Sequence, residues 1–326
     1  MGQKAATMKR IGIALLLLAC CAVSRAHAQA PSLITWWYSP RAVGITFDAA
    51  GHVIVADHGA PIQIKTYQPD GTLISQWGSY GSDTSSVNEP YFIATDANGH
   101  LFVQEESISN VNQSPAQEFL LDGTFVGRVG FYGFHADGST ITGPGAIWSA
   151  DGIAVDAAGL VYVPDMDYRR TQVFSNDRVY LREWPSLGGA IAIDAWGHAF
   201  QMEGDAMVRK YDAATGALLA QWGGAGSGPG QFDQPEGIAV DPAGNVYVAD
   251  TYNHRIQVFD GNGAFLAQWG GFGYQPGQFY RPMGVAVGPD GRIYVGDTWN
   301  GRVQVFGSVP TATRASTWGS LKARYR

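Results

Sequence analysis

Cysteine is nearly absent from this sequence of 326 residues, which contains only Cys20 and Cys21. Both lie in a stretch with a basic start, an apolar run at 11–23 and small residues at 26–28, an order typical of a secretory signal peptide. Cleavage after Ala28 would leave a mature chain without cysteine. That excludes disulfides, thiolate nucleophiles and cysteine-ligated zinc, so the exported protein must be held together by its core and its topology.

A second interpretation of the N-terminus is a lipid anchor. The letters "LLAC" that end at Cys20 resemble a lipobox, which would leave a lipidated Cys20. In either case we expect an exported protein, which is secreted, periplasmic or on the cell surface. After the signal no segment reaches the roughly 18 consecutive apolar residues of a membrane-spanning helix, so no transmembrane segment is predicted.

Basic residues are also scarce. The chain has 21 Lys and Arg against 28 Asp and Glu. The signal would remove four of the basic residues and none of the acidic ones, leaving a net charge near −11. A chain this acidic lacks the electrostatic footprint of a protein that binds a phosphate backbone, so nucleic acid is not expected as a partner.

Helical periodicity is weak, whereas glycine and tryptophan are abundant, with 43 and 10 residues, and this composition favours an all-β fold. One sequence motif recurs along the chain, most clearly as "GIAVDPAGNVYVAD" at 237–250. Its glycine repeats at steps between 38 and 60 residues, mostly in the forties, which is the period of propeller blades. The six copies occupy 44–57, 92–105, 152–165, 190–203, 237–250 and 284–297.

Each copy predicts a four-stranded blade: an inner strand, a tight turn, and three further strands. Five copies have an outer strand of their own, at 73–78, 125–130, 180–185, 218–223 and 265–270. The sixth copy lacks one, but "LITWWY" at 33–38 matches "LISQWG" at 73–78 position for position. We therefore predict that the N-terminal strand completes the last blade and closes the ring, which removes two unpaired sheet edges.

The segment "PGQFDQPEGIAVDPAGNVYVADTYNHRIQVFDGNGAFLAQWG" at 229–270 resembles an NHL repeat. The resemblance extends over residues 33–306 and implies a six-bladed β-propeller, in agreement with the strand count. The expected organisation is a signal peptide at 1–28, the propeller at 29–308 and a basic tail at 309–326. The tail is either a sorting signal or a segment docked on the acidic ring, and its charges are Arg314, Lys322, Arg324 and Arg326.

The repeated acidic residues are interpreted as structural. One set precedes the turn glycines and should bond the amides of its own turn: Asp48, Asp96, Asp156, Asp194 and Asp241. A second set recurs at the ends of the second strands and should form hydrogen bonds and salt links between blades: Asp57, Asp165, Asp250 and Asp297, with Arg255 and Arg302.

Function is sought where the copies differ. Two insertions, at 106–117 and 131–143, fall on connections that share one face of a propeller, where binding loops are usual. The residues just before the inner strands should ring the channel mouth on that face: Val43, Tyr91, Asp151, Gly189, Glu236 and Met283. Nearby turns add Asp167, Tyr168, Tyr252, His254 and Trp299.

The candidate ligand-binding residues from these two sets are Tyr91, Asp151, Tyr168, Glu236, Tyr252, Met283 and Trp299. Carboxylates among aromatic rings suit a cation, a sugar or a peptide, although an acidic rim that binds nothing is equally compatible with the pattern.

The NHL family includes the peptidylglycine amidating lyases, which are similar propellers, so their catalytic residues can be sought in this sequence. The resemblance implies zinc-binding histidines at the pre-strand position of three blades, but the matching triplets here, at 90–92, 235–237 and 282–284, contain none. Tyr252 falls near the position of the catalytic tyrosine of those lyases, and no catalytic residue is predicted. Some six-bladed lactonases hold calcium in the channel, for which Asp151 and Glu236 are weak candidates that need further oxygen ligands.

We therefore expect a monomeric, exported binding scaffold without a cofactor, which holds a peptide, glycan or protein on its insertion-rich face. The alternative is a metal-dependent propeller lyase or hydrolase that acts in the central channel.

Overall fold

The computed structural model describes residues 29–81, 86–105, 116–133 and 141–309. These residues form six four-stranded antiparallel sheets and one short parallel pair of strands. The predicted signal peptide at 1–28, residues 106–115 of the first insertion and residues 310–326 of the predicted tail at 309–326 lie outside the described residues. Within the described ranges, no helix has the length and apolar content needed to cross a membrane.

The strands follow the chain in the order that the repeats predict. The first is β1 (Leu33–Tyr38). Blade 1 contains β2 (Ala42–Phe47), β3 (Val53–Asp57), β4 (Gln63–Tyr67) and β5 (Leu73–Trp77). Blade 2 contains β6 (Pro90–Thr95), β7 (His100–Glu105), β8 (Ala116–Leu120) and β9 (Phe125–Arg128). The short parallel pair is β10 (Phe131–Tyr132) and β11 (Ala146–Ile147).

Blade 3 contains β12 (Ala154–Val155), β13 (Val161–Asp165), β14 (Arg170–Phe174) and β15 (Tyr180–Pro185). Blade 4 contains β16 (Ile191–Ile193), β17 (His198–Glu203), β18 (Met207–Asp212) and β19 (Leu218–Gly223). Blade 5 contains β20 (Gly237–Val240), β21 (Val246–Asp250), β22 (Arg255–Phe259) and β23 (Phe265–Gly270). Blade 6 contains β24 (Val285–Val287), β25 (Ile293–Asp297) and β26 (Arg302–Phe306). Two 3-10 helices, Thr251–Asn253 and Thr298–Asn300, follow β21 and β25.

The ring closes as predicted, through the N-terminal strand. The sheet order in blade 6 is β1, β26, β25, β24, and β1 runs antiparallel to β26 with Trp37 opposite Val303. The inner strands touch their neighbours all the way round, from β2 through β6, β12, β16 and β20 to β24 and back to β2. The protein is therefore an all-β, six-bladed β-propeller.

At four of the six junctions between neighbouring blades, a tryptophan of one blade packs on a turn glycine of the next. Trp37 of β1 packs between the rings of Tyr67 and Tyr294, at centroid distances of 5.5 and 6.3 Å. It also covers Gly71 in the turn between β4 and β5, where an added Cβ would stand 2.7 Å from the indole ring. The same contact joins Trp77 to Gly123, Trp184 to Gly216 and Trp222 to Gly263. Only glycine leaves room for the indole while its backbone adopts a positive φ.

Blade 2 departs from this rule in two linked places. Its outer strand is followed by Val129 where the others have tryptophan, and the turn of blade 3 that it faces has Arg178 instead of glycine. Arg178 keeps the turn conformation, with φ +66°, and its guanidinium forms an ion pair with the buried Glu118 of β8. At the junction of blades 2 and 3, the ion pair of Arg178 and Glu118 therefore takes the place of the contact between tryptophan and glycine.

The first structural prediction about acidic residues is confirmed. Each aspartate before a turn glycine accepts two backbone N–H groups of its own turn, as Asp241 does from Ala243 and Asn245 at 2.9 and 2.8 Å. The same pattern holds at Asp48, Asp96, Asp156 and Asp194.

The second prediction needs a correction. Asp250 and Arg255 pair within one blade, at 2.7 Å, because the antiparallel register of β21 and β22 places them opposite each other. The Arg255 guanidinium then donates to the carbonyls of Ser227, Gly228 and Gln231, in the connector that leads from blade 4. Arg302 repeats the arrangement with Asp297 and the connector from blade 5. The pairs therefore fix connectors, and they do not join the sheets of two blades.

Glu105 occupies the same blade position without a basic partner among the described residues. Its Oε1 atom accepts from the Asn88 N–H and from the Gln117 side chain, at 3.1 and 2.9 Å. Its Oε2 atom is buried and has no hydrogen-bond donor in the described part of the chain. Burial raises the pKa of Glu105 from 4.5 to about 7.

We expect substitution of a glycine that faces a tryptophan to lower the free energy of unfolding by more than the backbone strain at positive φ accounts for. In Gly263→Ala the new Cβ would stand 2.6 Å from the Trp222 ring, whereas in Gly291→Ala it would meet nothing within 4 Å. Both glycines have positive φ, so the second variant measures the backbone cost, about 1 kcal/mol. Urea denaturation should show a loss at least about twice as large for Gly263→Ala. Equal losses would mean that the indole does not constrain the turn.

A second prediction concerns ring closure. Burial of Trp37 contributes on the order of 2–3 kcal/mol, and loss of β1 also exposes the edge of β26. A mature chain that starts at Pro40 should therefore melt at a much lower temperature or aggregate, while one that ends at Val309 should melt like the full mature chain. Calorimetry of the two truncated chains measures this directly. If the chain from Pro40 melted like the full mature chain, β1 would not be the closing strand.

A third prediction concerns pH. Because folded Glu105 holds its proton more tightly than the unfolded chain does, the free energy of unfolding should fall as pH rises from about 4.5 to 7, by up to about 3 kcal/mol. Glu105→Gln should remove this decline and be more stable than wild type above pH 7. The control Asp250→Asn, which breaks an ion pair with Arg255, should be less stable at neutral pH. Urea denaturation at several pH values separates these cases, and an unchanged slope in Glu105→Gln would contradict the assignment.

Candidate functional site at the channel mouth

One face of the propeller carries both the connections into the inner strands and the turns after the second strands. The Tyr252 N–H donates to the carbonyl of Asp233, which lies in the connection into its own blade, at 3.1 Å. The Thr251 hydroxyl donates to the carbonyl of Pro282, which lies in the connection into the next blade, at 2.9 Å. The sequence prediction that these two loop types share a face is confirmed.

The pre-strand residues form a tight ring around the mouth because glycines follow several of them. A Cβ on Gly44 would stand 2.5 Å from the carbonyl oxygen of Tyr91, and one on Gly284 would stand 2.3 Å from that of Val43. Gly152 and Gly237 make equivalent contacts with Gly189 and Met283 of the next blade. Blades 2 and 4 have Phe92 and Ala190 in the place of this glycine. Both side chains line the cavity described below.

Three predicted residues meet across the mouth. The Tyr91 hydroxyl of blade 2 donates to the carboxylate of Glu236 in blade 5, on the opposite side of the ring. It also lies 3.6 Å from the sulfur of Met283. The tyrosine therefore spans the opening and fixes the position of the Glu236 carboxylate.

Below the mouth, the channel itself is narrow and apolar. It encloses about 60 Å³. Valine and isoleucine side chains dominate its wall, including Val43, Ile93, Ile153, Ile191, Ile238 and Val285. No titratable side chain lines it in the part of the chain that the structure describes. The carboxylates described below therefore lie at the mouth and not in this apolar part of the channel.

A cavity of about 870 Å³ opens at the mouth beside blades 2 to 5. This mouth cavity has the size of sites that enclose a small ligand or a few peptide side chains. Its wall combines apolar side chains with five carboxyl groups: Asp151, Glu203, Asp205, Asp233 and Glu236. No lysine or arginine is among the described residues that line it.

Two of the five carboxylates share one arginine, whose single positive charge partly offsets theirs. Arg209 donates to both oxygens of Asp205, at 3.0 and 2.6 Å, and its hydrogen bonds lower the pKa of Asp205. The same guanidinium contacts Glu203, which also accepts from the Tyr211 hydroxyl at 2.6 Å. Burial nevertheless raises the pKa of Glu203. The negative potential of the cavity therefore comes mainly from Asp151, Asp233 and Glu236.

The structure separates the other candidates from the cavity. The single proton of the Tyr168 hydroxyl is shared between the carbonyls of Ile141 and Gly133, at 2.8 and 3.2 Å, so the side chain contacts both described ends of the second insertion. Tyr252 and Trp299 lie on either side of the Arg281 guanidinium, which is 4.3 and 4.9 Å from their ring centroids. Neither ring lines the mouth cavity.

Sequence reasoning missed Asp205, Phe92 and Arg281. Asp205 lies in the turn after β17, the same kind of turn that led to Tyr252 and Trp299, so the same rule could have found it. Phe92 and Arg281 were harder to identify from sequence. Phe92 matters because it replaces a glycine that would allow the next blade to approach, and Arg281 matters because it stacks on rings of other segments.

The residues present do not assemble a metal site in the described part of the chain. No three His, Cys, Asp or Glu side chains lie close enough together there to hold an ion. Asp151 and Glu236 do not belong to such a group there, and calcium binding remains a prediction to be tested. His52 and His198 are occupied by the turn aspartates Asp48 and Asp194, each at 2.7 Å.

Comparison with known proteins agrees with the fold. The NHL repeat model matches residues 232–259 and 279–306. The chain is therefore a six-bladed β-propeller that carries NHL repeats. Short stretches are similar to protein lin-41 of Caenorhabditis elegans, at 50% identity over 54 residues, and to protein brain tumor of Drosophila melanogaster, at 58% over 31 residues. These cover 16% and 10% of this chain, and only 5% and 3% of those proteins.

Solved structures with the same fold are more distant in sequence. A gluconolactonase from Xanthomonas campestris superposes with a TM-score of 0.62 at 15% identity, covering 86% of this chain and 91% of that one. An auxiliary nutrient binding protein from Bacteroides thetaiotaomicron gives 0.60 at 14% identity, covering 83% and 69%. A chain of a nidogen/laminin complex gives 0.54 at 14% identity, covering 70% and 80%. The fold thus serves both enzymes and binding proteins, and at these identities the likeness concerns the fold alone.

Proposed function

We propose that this protein is an exported, non-catalytic binding module that takes a peptide with a cationic side chain in its mouth cavity. The observation that carries the proposal is the composition of the cavity wall, which has five carboxylates and no lining lysine or arginine among the described residues. Opposite charge at such a wall favours association and selects against acidic ligands.

The apolar part of the wall favours a basic side chain over a free metal ion or a small polar ligand. Met166, Leu187 and Met202 provide an apolar surface next to the carboxylates. Lysine and arginine bury an aliphatic stem on such a surface while the charged head reaches a polar group. Glu236 is held in place by Tyr91, so its carboxylate needs little reorganisation to accept the ammonium or guanidinium group.

The experiment is a binding titration with two labelled peptides that differ only in having Lys-Lys or Glu-Glu at the centre. The Lys-Lys peptide should bind and the Glu-Glu peptide should not. Asp233→Asn and Glu236→Gln should each weaken binding of the Lys-Lys peptide roughly tenfold or more.

The matched control is Asp290→Asn, because Asp290 is an exposed acid next to Arg292 in a turn at the opposite end of its blade. This variant should bind as wild type does. Equal weakening in all three variants would indicate an effect of net charge only. Preference for neutral glycans on an array, with no preference between the two peptides, would overturn the choice of ligand class.

The alternative function is a metal-dependent lyase or hydrolase, and it is supported by the fold that the chain shares with a gluconolactonase. Elemental analysis of the purified mature protein separates the two proposals. Stoichiometric zinc or calcium that is lost in Glu236→Gln would support the enzyme. A folded protein that binds the Lys-Lys peptide after dialysis against chelator would support the binding module.

A further inference from the structure

A second surface on the same face differs from the mouth cavity in both charge and composition. We call it the Arg–aromatic surface and define it by seven residues from blades 5, 6 and 1: Arg41, Tyr252, Phe272, Tyr274, Tyr280, Arg281 and Trp299. Four of its rings are strongly exposed, from 37% for Tyr252 and 47% for Trp299 to 57% for Phe272 and 64% for Tyr274. Clustered exposure of large rings marks interaction sites, whereas scattered exposure does not.

The rings form one continuous cluster. Tyr280 lies at its centre, with ring centroids 5.4 Å from Phe272, 6.1 Å from Tyr274 and 5.6 Å from Trp299. The two exposed rings Phe272 and Tyr274 also touch each other, at 5.7 Å. The cluster is therefore a single surface that a partner can cover as a unit.

Two arginines are stacked on these rings. Arg281 lies between Tyr252 and Trp299, and Arg41 lies over the Trp299 ring at 5.8 Å. Neither guanidinium forms an ion pair with a carboxylate among the described residues, in contrast to Arg170, Arg209, Arg255 and Arg302. Stacking uses the faces of a guanidinium and not its N–H edges, and these edges match a carboxylate in a bidentate pair.

The backbone holds Arg281 in place. Its N–H donates to Nδ1 of His254 at 3.1 Å, and its φ of +49° is an unusual conformation that the connection maintains. Burial and the nearby Arg281 charge lower the pKa of His254, which keeps Nδ1 available as an acceptor. A preorganised arginine loses less conformational entropy on binding than a mobile one.

The arrangement of the rings favours a polypeptide over a sugar or a nucleobase. Phe272 and Tyr280 meet at 89°, Tyr274 and Tyr280 at 80°, and Phe272 and Tyr274 at 71°. Rings at these angles make a ridged surface with gaps for side chains, not the flat platform on which a sugar or base stacks. Tyr, Trp and Arg are also the residues that dominate the energetic centres of protein interfaces.

We propose that the Arg–aromatic surface docks an acidic polypeptide segment. Carboxylates of the segment pair with the outer edges of Arg41 and Arg281, and its apolar side chains lie in the gaps between the rings. The protein is acidic as a whole, with a net charge of −7, so this local excess of positive charge also directs such a partner to one place.

The test uses a fluorescently labelled random copolymer of glutamate and tyrosine, with binding followed by anisotropy. Arg281→Gln and Trp299→Ala should each weaken binding roughly tenfold or more. Raising NaCl from about 0.05 M to about 0.5 M should also weaken it, because exposed ion pairs are screened. Arg281→Lys keeps the charge but loses the planar edge, and should restore only part of the affinity.

The matched controls are Arg292→Gln and Trp196→Ala, in turns at the other end of the blades. Arg292 is exposed next to Asp290, and Trp196 is 60% exposed. Both should bind the copolymer as wild type does. Thermal melting of every variant shows that it is folded.

Three outcomes would overturn the proposal. The first is unchanged copolymer binding in Arg281→Gln and Trp299→Ala. The second is tighter binding of polygalacturonate than of the copolymer, which would assign the surface to an acidic glycan. The third is concentration-dependent dimerisation in light scattering that Arg281→Gln abolishes, which would assign it to a second copy of this chain. Arg281→Gln should leave binding of the Lys-Lys peptide unchanged, so failure of this proposal is distinguishable from failure of the proposed function.

Discussion

The contact between a tryptophan and the turn glycine of the next blade is the constraint on which the ring depends. The indole occupies the place of the missing Cβ, so it fixes the distance and the angle between two neighbouring sheets. The ring closes through the same contact, because Trp37 enters from the other end of the chain and lies on Gly71. Two junctions have a different chemistry. Between blades 2 and 3, the ion pair of Arg178 and Glu118 changes both sides of the contact at once. Between blades 5 and 6, Trp269 packs on Phe306 of β26, because β1 supplies the outer strand and β26 is not followed by a turn glycine.

The contacts at the outer edge hold the blades in place, and the residue that begins each inner strand then affects how closely two blades approach at the centre. Where glycine begins the inner strand, the next blade approaches to backbone contact, and the mouth is closed on that side. Where Phe92 or Ala190 takes that place, the wall of the mouth cavity begins. The cavity wall therefore includes both departures from the repeat, and its carboxylates lie on strand ends and connections.

Much of this could be predicted from sequence, because repetition makes local patterns reliable. The six copies fixed the number of blades, the surplus strand "LITWWY" identified the closing strand, and the turn aspartates followed from local hydrogen bonding. The pre-strand residues were correctly placed around one mouth. The contact of Tyr91 with Glu236 could not be predicted, since it joins side chains 145 residues apart across a channel whose width depends on all six junctions. For the same reason the sequence did not show that the candidate binding residues belong to two places, the mouth cavity and the Arg–aromatic surface. That division depends on contacts between side chains of adjacent blades.

One backbone position supplies both arginines of the Arg–aromatic surface. The residue two places before each pre-strand residue is Arg41, Glu89, Ser149, Leu187, Gln234 or Arg281 around the ring. The connections at Glu89, Gln234 and Arg281 share a positive φ, so the main chain repeats there while the side chain varies. The two arginines fall in adjacent blades and stack on the aromatic turns before them, and the carboxylates of the mouth cavity lie on the other blades. A propeller can in this way acquire separate acidic and basic halves on one face without any change to the contacts that hold it together.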